Sequence, residues 1–301
     1  MSTEPAIPAL FRGLVDDAAL FPPGNAPMPV AVAEHRHHTA TPYAGFVGPL
    51  LVPATRWDEL VAELGEVDEP LDIGLIGPAD ALTATVPRAV AEARVELRQV
   101  ECPLGEPAEA ADTARRLDAL DNRGEPLDVY LEIPRRAGWL DAVAVLAELP
   151  TRHPVGAKLR TGGLAADAFP TTAELTDFVT ACVAGGLRFK LTAGLHHAVR
   201  HTDPATGLAY HGYLNALAAV CRAWTERPDR AGIGEAVAAS SAEPLVAAVR
   251  PLAGDDDAAG EVRGRFASYG SCSVAEPLTD LVGLGLLHRS YLSQLPAPRE
   301  T

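Results

Sequence analysis

The chain has 301 residues, 48% apolar and 5% aromatic, enough for a large core built mostly from Ala, Val and Leu. Its net charge of -15 argues against nucleic acid or an anionic membrane as the main partner. No apolar run reaches bilayer-spanning length, the Met1-Ser-Thr-Glu-Pro5 start lacks the basic and apolar regions of a signal peptide, and Cys102, Cys182, Cys221 and Cys272 show no CxxC spacing, so a cytoplasmic protein with reduced thiols is expected.

Apolar runs alternate with helical periodicity along the chain. Residues 12–21 read as a first strand stopped by Pro22-Pro23-Gly24, with a helix near 30–38. Further strands are predicted at 46–53, 71–77, 95–101, 127–133, 155–160, 188–193 and 265–273. Helices are predicted at 57–64, from 79 into the low nineties, and at 107–120, 139–149, 172–185, 213–224, 233–249 and 276–289. Eight strands at this spacing predict a single-domain (β/α)8 barrel over residues 1–301, with an open doubly wound sheet as runner-up; no GxGxxG follows a strand. The widest gap separates strands seven and eight. It is expected to hold a helical insertion with an acidic surface loop at 250–262, serving as a lid or an oligomer contact. Residues 295–301 are expected to form a flexible tail.

Lys158 and Lys190 are the only lysines, against 23 arginines. They sit in matched segments, Lys158-Leu-Arg-Thr-Gly162 and Lys190-Leu-Thr-Ala-Gly194, on strands six and seven. Biased base composition accounts for the scarcity but not for the matched placement. An amine in a dry pocket can lose its proton and attack a carbonyl, whereas a guanidinium cannot. With strands ~4.8 Å apart, two inward ammonium groups at one height are expected to push each other's pKa down.

Barrel active sites lie at the C-terminal ends of the strands, which selects the other candidates. Asp16 and Asp17 end strand one. Arg98 and Glu101 lie on strand four. On strand five Asp128, Tyr130 and Glu132 share a face by period two, and Glu132 is a candidate general acid or base or an ion-pair partner of Lys158. Arg160, Thr161 and Thr192 accompany the lysines. His196 and His197 follow strand seven, where substrate binding or proton transfer is preferred to metal ligation because the histidines of that segment (His196, His197, His201 and His211) show neither HxH nor HExxH spacing. Ser271 and Ser273 precede a helix and could bind an anionic group, or Ser273 could serve as a cap. Cys272 has no adjacent histidine in sequence and is not expected to be a nucleophile. The Glu34-His35-Arg36-His37-His38 run ends the first helix and reads as a solvated cap.

The two lysine segments resemble the active-site strands of (β/α)8 class I, Schiff-base aldolases of the deoxyribose-phosphate aldolase type. That family carries Lys-x-x-Thr-Gly on strand six, matched by Lys158 to Gly162, and Lys-x-Ser/Thr-x-Gly on strand seven, matched by Lys190 to Gly194. The resemblance covers about a dozen residues and the barrel periodicity. It implies that Lys158 forms an imine and Lys190 tunes it, with Glu101 or Glu132 in place of the family's aspartate; Arg160 and the His196-His197 pair depart from the pattern. The reading is a cofactor-free lyase with catalytic Lys158, Lys190, Glu132 and Glu101, acting on a small anionic or polyhydroxylated aldehyde or ketone held by Arg160, Thr161, Thr192, His196, His197, Asp17, Ser271 and Ser273. The alternatives are a metal-dependent isomerase or hydrolase using Asp17, Glu101, Glu132 and His196 or His197, and a non-catalytic barrel that binds an anionic metabolite.

Overall fold

The computed structural model describes residues 5–65, 69–163, 165–227 and 229–296. Its frame is eight parallel strands closed into a barrel: β1 (Val15–Asp17), β2 (Val47–Pro53), β3 (Leu71–Ile76), β4 (Val95–Pro103), β5 (Asp128–Glu132), β6 (Val155–Arg160), β7 (Arg188–Thr192) and β10 (Phe266–Ser271). Two further strands, β8 (His201–Thr202) and β9 (Ala209–Tyr210), form a separate antiparallel hairpin. Around the barrel the order is β1-β10-β7-β6-β5-β4-β3-β2, the arrangement the strand spacing predicts for a (β/α)8 barrel. Among the described residues no helix is long and apolar enough to cross a membrane.

Strand alternation divides the residues into two environments. Val100, Val129, Leu131, Ala157, Leu159, Phe189 and Leu191 are buried in the apolar core between sheet and helices. The other parity points into the barrel, where branched apolar side chains usually fill the interior. Here those positions include Asp16, Gln99, Glu101, Lys158, Lys190 and Ser268, all buried and polar. Small neighbours make room for them. A Cβ on Gly48 would fall 2.3 Å from Oδ1 of Asp16, and one on Gly74 would fall 2.8 Å from the Gln99 side chain.

The first strand is shorter than the predicted 12–21. A 3-10 turn at Ala9–Phe11 and Gly13 at φ +55° delay its start, and after Asp17 the chain turns back, with the Asp17 carboxylate accepting from the Ala19 N–H at 3.1 Å. The Arg263 guanidinium closes the seam between β1 and β10. It donates to the carbonyls of Leu10 (3.1 Å), Arg12 (2.6 Å), Gly13 (3.2 Å), Phe266 (3.0 Å) and Ala267.

The insertion between β7 and β10 holds the hairpin and helices Tyr213–Thr225, Arg230–Ala238, Ala242–Ala253 and Asp256–Arg263. Two expectations need correction here. The predicted helix 233–249 is broken, because the buried Asn215 amide donates to the carbonyls of Ala236 (2.7 Å) and Ala239 (2.8 Å) and so ends the first half. The acidic segment 250–262 is not a loop: Asp255 accepts from the Ala258 N–H at 3.0 Å and caps a helix whose first turn carries Asp256 and Asp257, where negative charge suits the helix dipole. Of the predicted tail, residues 297–301 lie outside the described residues.

Candidate active site

Register places the two lysines directly opposite each other, Lys158 beside Lys190, with Glu132 beside Lys158 and Ser268 beside Lys190. Their ammonium groups are not isolated. The Glu101 carboxylate lies between them, with Oε2 2.6 Å from Lys158 Nζ and Oε1 2.5 Å from Lys190 Nζ. Lys158 also pairs with Glu132 at 3.0 Å, and Glu132 in turn accepts from Arg160 Nε at 2.9 Å. On the other side Lys190 pairs with Asp16, which also accepts from Ser268 Oγ at 3.0 Å and from Gln99 Nε2 at 3.2 Å. Lys190 further lies 4.9 Å from the centre of the Tyr130 ring.

The result is one alternating row, Asp16, Lys190, Glu101, Lys158, Glu132, Arg160, with three negative and three positive groups. It runs from the barrel interior to its mouth. The Lys190 and Asp16 side chains are each 1% exposed, Lys158 is 4%, Glu132 14% and Arg160 51%. Beyond Arg160 an open cleft of ≈ 520 Å³ is lined by Glu132, Arg160, Arg135, Arg136, Leu104 and Asp167, among others. Lys158 is therefore the lysine nearer to solvent, and Lys190 is the deeper one.

The electrostatics reverse one expectation. Burial does push both lysines down, but their carboxylate partners outweigh it and raise both: Glu101 and Glu132 for Lys158, Asp16 and Glu101 for Lys190. The prediction of lowered lysine pKa values counted the like charge across one strand boundary and missed the acid inserted between. Burial tends to raise Glu101 as well, yet the two ammonium groups hold it at about 2. Glu132 is likewise lowered by Lys158 and Arg160 against its burial. Asp16 moves the other way: burial, the largest influence, and the nearby Glu101 raise it despite Lys190.

The remaining candidates divide. Thr192 joins the inward face, since a Cβ on the adjacent Gly270 would meet its Oγ1 at 3.3 Å. Asp17 does not reach the row. It points away from the barrel axis to the buried His35, Nδ1 to Oδ2 3.0 Å, while Asp16 points in. The Thr161 hydroxyl is spent on the carbonyls of Thr192 (3.1 Å) and Ala193 (2.6 Å), tying the ends of β6 and β7 together. Ser271 donates to the Ser273 carbonyl at 2.8 Å, and Ser273 Oγ accepts from the Glu276 N–H at 3.3 Å, the capping use. Arg98 faces outward and pairs with Asp72 at 3.0 Å. The histidine run on the first helix (Met28–Thr39) is not wholly solvated: His35 is buried on Asp17, and His38 lies under the helix, 2.9 Å from the Tyr43 hydroxyl. Sequence reasoning missed Gln99 and Ser268 as site residues and gave the substrate-binding role to Asp17, whereas Asp16 is the aspartate that reaches the lysines. Strand parity, had β1 been long enough to show it, would have found Asp16.

His196 and His197 stand apart from the lysine row. His196 Nδ1 lies 2.8 Å from Glu276 and its Nε2 4.0 Å from Cys272 Sγ, while His197 lies 3.4 Å from Asp280. The set Asp17, Glu101, Glu132 and His196 or His197, considered for a metal, is thus split among three places. Among the described residues no group of three or more His, Cys, Asp or Glu side chains is arranged to hold a metal ion. No protein-family model, curated protein or solved structure matches the chain.

Proposed function

We propose that the barrel is a lyase-type enzyme in which Lys158 forms a Schiff base with a small oxygenated aldehyde or ketone. The observation that carries this reading is the Glu101 carboxylate shared between two buried lysine ammonium groups at the functional end of the barrel. Buried charges of this kind are rarely a source of stability, because desolvation offsets their attraction. The register of the two lysines and the resemblance of their segments to those of Schiff-base aldolases point the same way.

Imine formation needs a neutral amine, and the geometry supplies two carboxylates within hydrogen-bond reach of Lys158 to take its proton. An ordinary lysine and an ordinary glutamate differ by ~6 pKa units, about 8 kcal/mol, and here the two are displaced further apart. A turnover of ~10 per second corresponds to a barrier of about 16 kcal/mol, so such an uphill transfer would take up half of it or more, and binding that narrows the gap would leave more of it for the chemical steps. Arg160 is placed to do this. It shares Glu132 with Lys158, and an anionic group on the substrate that drew the guanidinium toward the cleft would leave Glu132 with one cation instead of two, a stronger base. Lys158 then attacks the carbonyl carbon, water leaves, and the protonated imine accepts the electron pair of the adjacent C–C or C–H bond. Lys190, Glu101 and Asp16 form the charged row behind it through which protons can be exchanged.

Borohydride reduction with a panel of small aldehydes and ketones, read by intact mass and peptide mapping, tests this. The expected result is a substrate-dependent adduct on Lys158 that is lost in Lys158→Arg. An adduct on Lys190 would reverse the roles assigned by depth, and no adduct across a broad panel would refute imine chemistry for that panel. Retained metabolite binding by Lys158→Arg in that case would favour an anion-binding barrel.

A further inference from the structure

A second set of reactive side chains sits at the same end of the barrel. Cys102, Cys182 and Cys221 are buried, whereas Cys272 is partly exposed. It follows β10 by one residue and continues the parity of Ser268 and Gly270, whose backbone lies against Thr192. Its Sγ is 4.0 Å from His196 Nε2, and His196 Nδ1 is 2.8 Å from Glu276 Oε2. Nucleophile, imidazole and orienting carboxylate come from three points, the end of β10, the loop after β7, and the helix Ala275–Gly283. The loop at Gly24 packs against the cysteine from the other side, for a Cβ there would meet Cys272 Cβ at 2.9 Å. The lysine row uses none of these groups.

A thiol within reach of an imidazole that a carboxylate orients is the arrangement that makes cysteine a nucleophile near neutral pH. The hydrogen bond to Cys272, and then that to Glu276, hold the His196 imidazole protonated, up to about 10. The other titratable groups beside the pair are His197 and Asp280, which lie 3.4 Å from each other.

We infer that Cys272, His196 and Glu276 form a thiolate–imidazolium–carboxylate relay that adds reversibly to the carbonyl carbon of a small aldehyde at the barrel mouth. The thiolate forms the S–C bond, the C=O π pair moves to oxygen, and the Nε2 proton of His196 passes to that oxygen. The product is a hemithioacetal beside a neutral imidazole. Nothing is oxidised and no group leaves, so the single proton carried by the imidazolium balances the step. An aldehyde suits the relay better than an ester for that reason. The site stands on its own residues and does not depend on imine formation at Lys158.

Two measurements on the full chain test it. The first is the rate of Cys272 alkylation by iodoacetamide between pH 5 and 10, followed by mass spectrometry. At pH 6 the unmodified protein is expected to react at least tenfold faster than His196→Asn, with the two converging near pH 10; Glu276→Gln is expected to fall between, and serves alone if circular dichroism shows that His196→Asn is not folded. Superimposed profiles would overturn the relay. The second is carbon NMR with carbonyl-labelled acetaldehyde. A hemithioacetal resonance that vanishes in Cys272→Ser and persists in Lys158→Met is expected. Its absence in the unmodified protein, or its persistence in Cys272→Ser, would overturn the aldehyde site, and the Lys158→Met arm keeps that failure distinct from failure of the Schiff-base reading.

Discussion

Replacing Glu101 by Gln keeps the shape of the row and removes its central charge. Each ammonium group then retains one carboxylate, Asp16 for Lys190 and Glu132 for Lys158, and the row changes from neutral to a net charge of +1. The Glu101 carboxyl is held at about 2 in the folded protein against ~4.3 in an unfolded chain, which corresponds to about 3 kcal/mol. Removing one partner of a buried pair costs ~3–5 kcal/mol in general, in agreement. The sign follows from the depressed folded pKa. The contribution is fully present above pH ~4.3 and is lost as pH falls toward 2, with about half remaining at pH 3. Urea unfolding followed by tryptophan fluorescence should therefore show Glu101→Gln less stable than the unmodified protein by about 3 kcal/mol at pH 7, and by about half as much at pH 3. A difference below ~1 kcal/mol at pH 7, or one equally large at both pH values, would refute the electrostatic account and leave only packing.

Two further outcomes are expected. Arg263→Met should lower the melting temperature by roughly 6 °C or more, because five carbonyls at the β1–β10 seam lose their donor at a combined cost of at least ~3 kcal/mol; an unchanged melting temperature would show that the seam closes without it. Asp16→Asn should slow the borohydride-trapped adduct, whereas Asp17→Asn should lower stability but leave trapping unchanged, since Asp17 contacts His35 and not the lysines; the reverse pattern would contradict the assigned strand parity.

The barrel was legible because its signals are local and repeated. Strand spacing, and the shared face of Asp128, Tyr130 and Glu132, need only the period of two. The register of Lys158 with Lys190 followed from two similar segments at similar positions on successive strands. What escaped was non-local. Lys190 meets Asp16 across 174 positions, and Cys272 meets His196 across 76. The three-residue β1 is too short to display its own parity, so the site role fell to Asp17 in place of the inward-facing Asp16. The histidines of the first helix were judged by helix-end electrostatics alone, without the outward-facing Asp17 that buries His35. The direction of the lysine shifts failed largely for the same reason, since acids from β1 and β4, together with Glu132 of β5, set it.

The seam between β1 and β10 also has a temporal consequence. Asp16 is among the first barrel residues synthesised, while its neighbour across the seam, Gly270, follows 254 positions later. At 5–20 residues per second the nascent β1 waits roughly 13–50 s for that strand. The acid on that strand is without its lysine for the first 174 positions and without its serine for 252, and the edge toward β10 has no partner until the end, the condition under which chains pair with the wrong neighbour. At three residues, β1 offers a stray strand little to grip, so the brevity that hid its parity from sequence reading also shortens the edge exposed before closure.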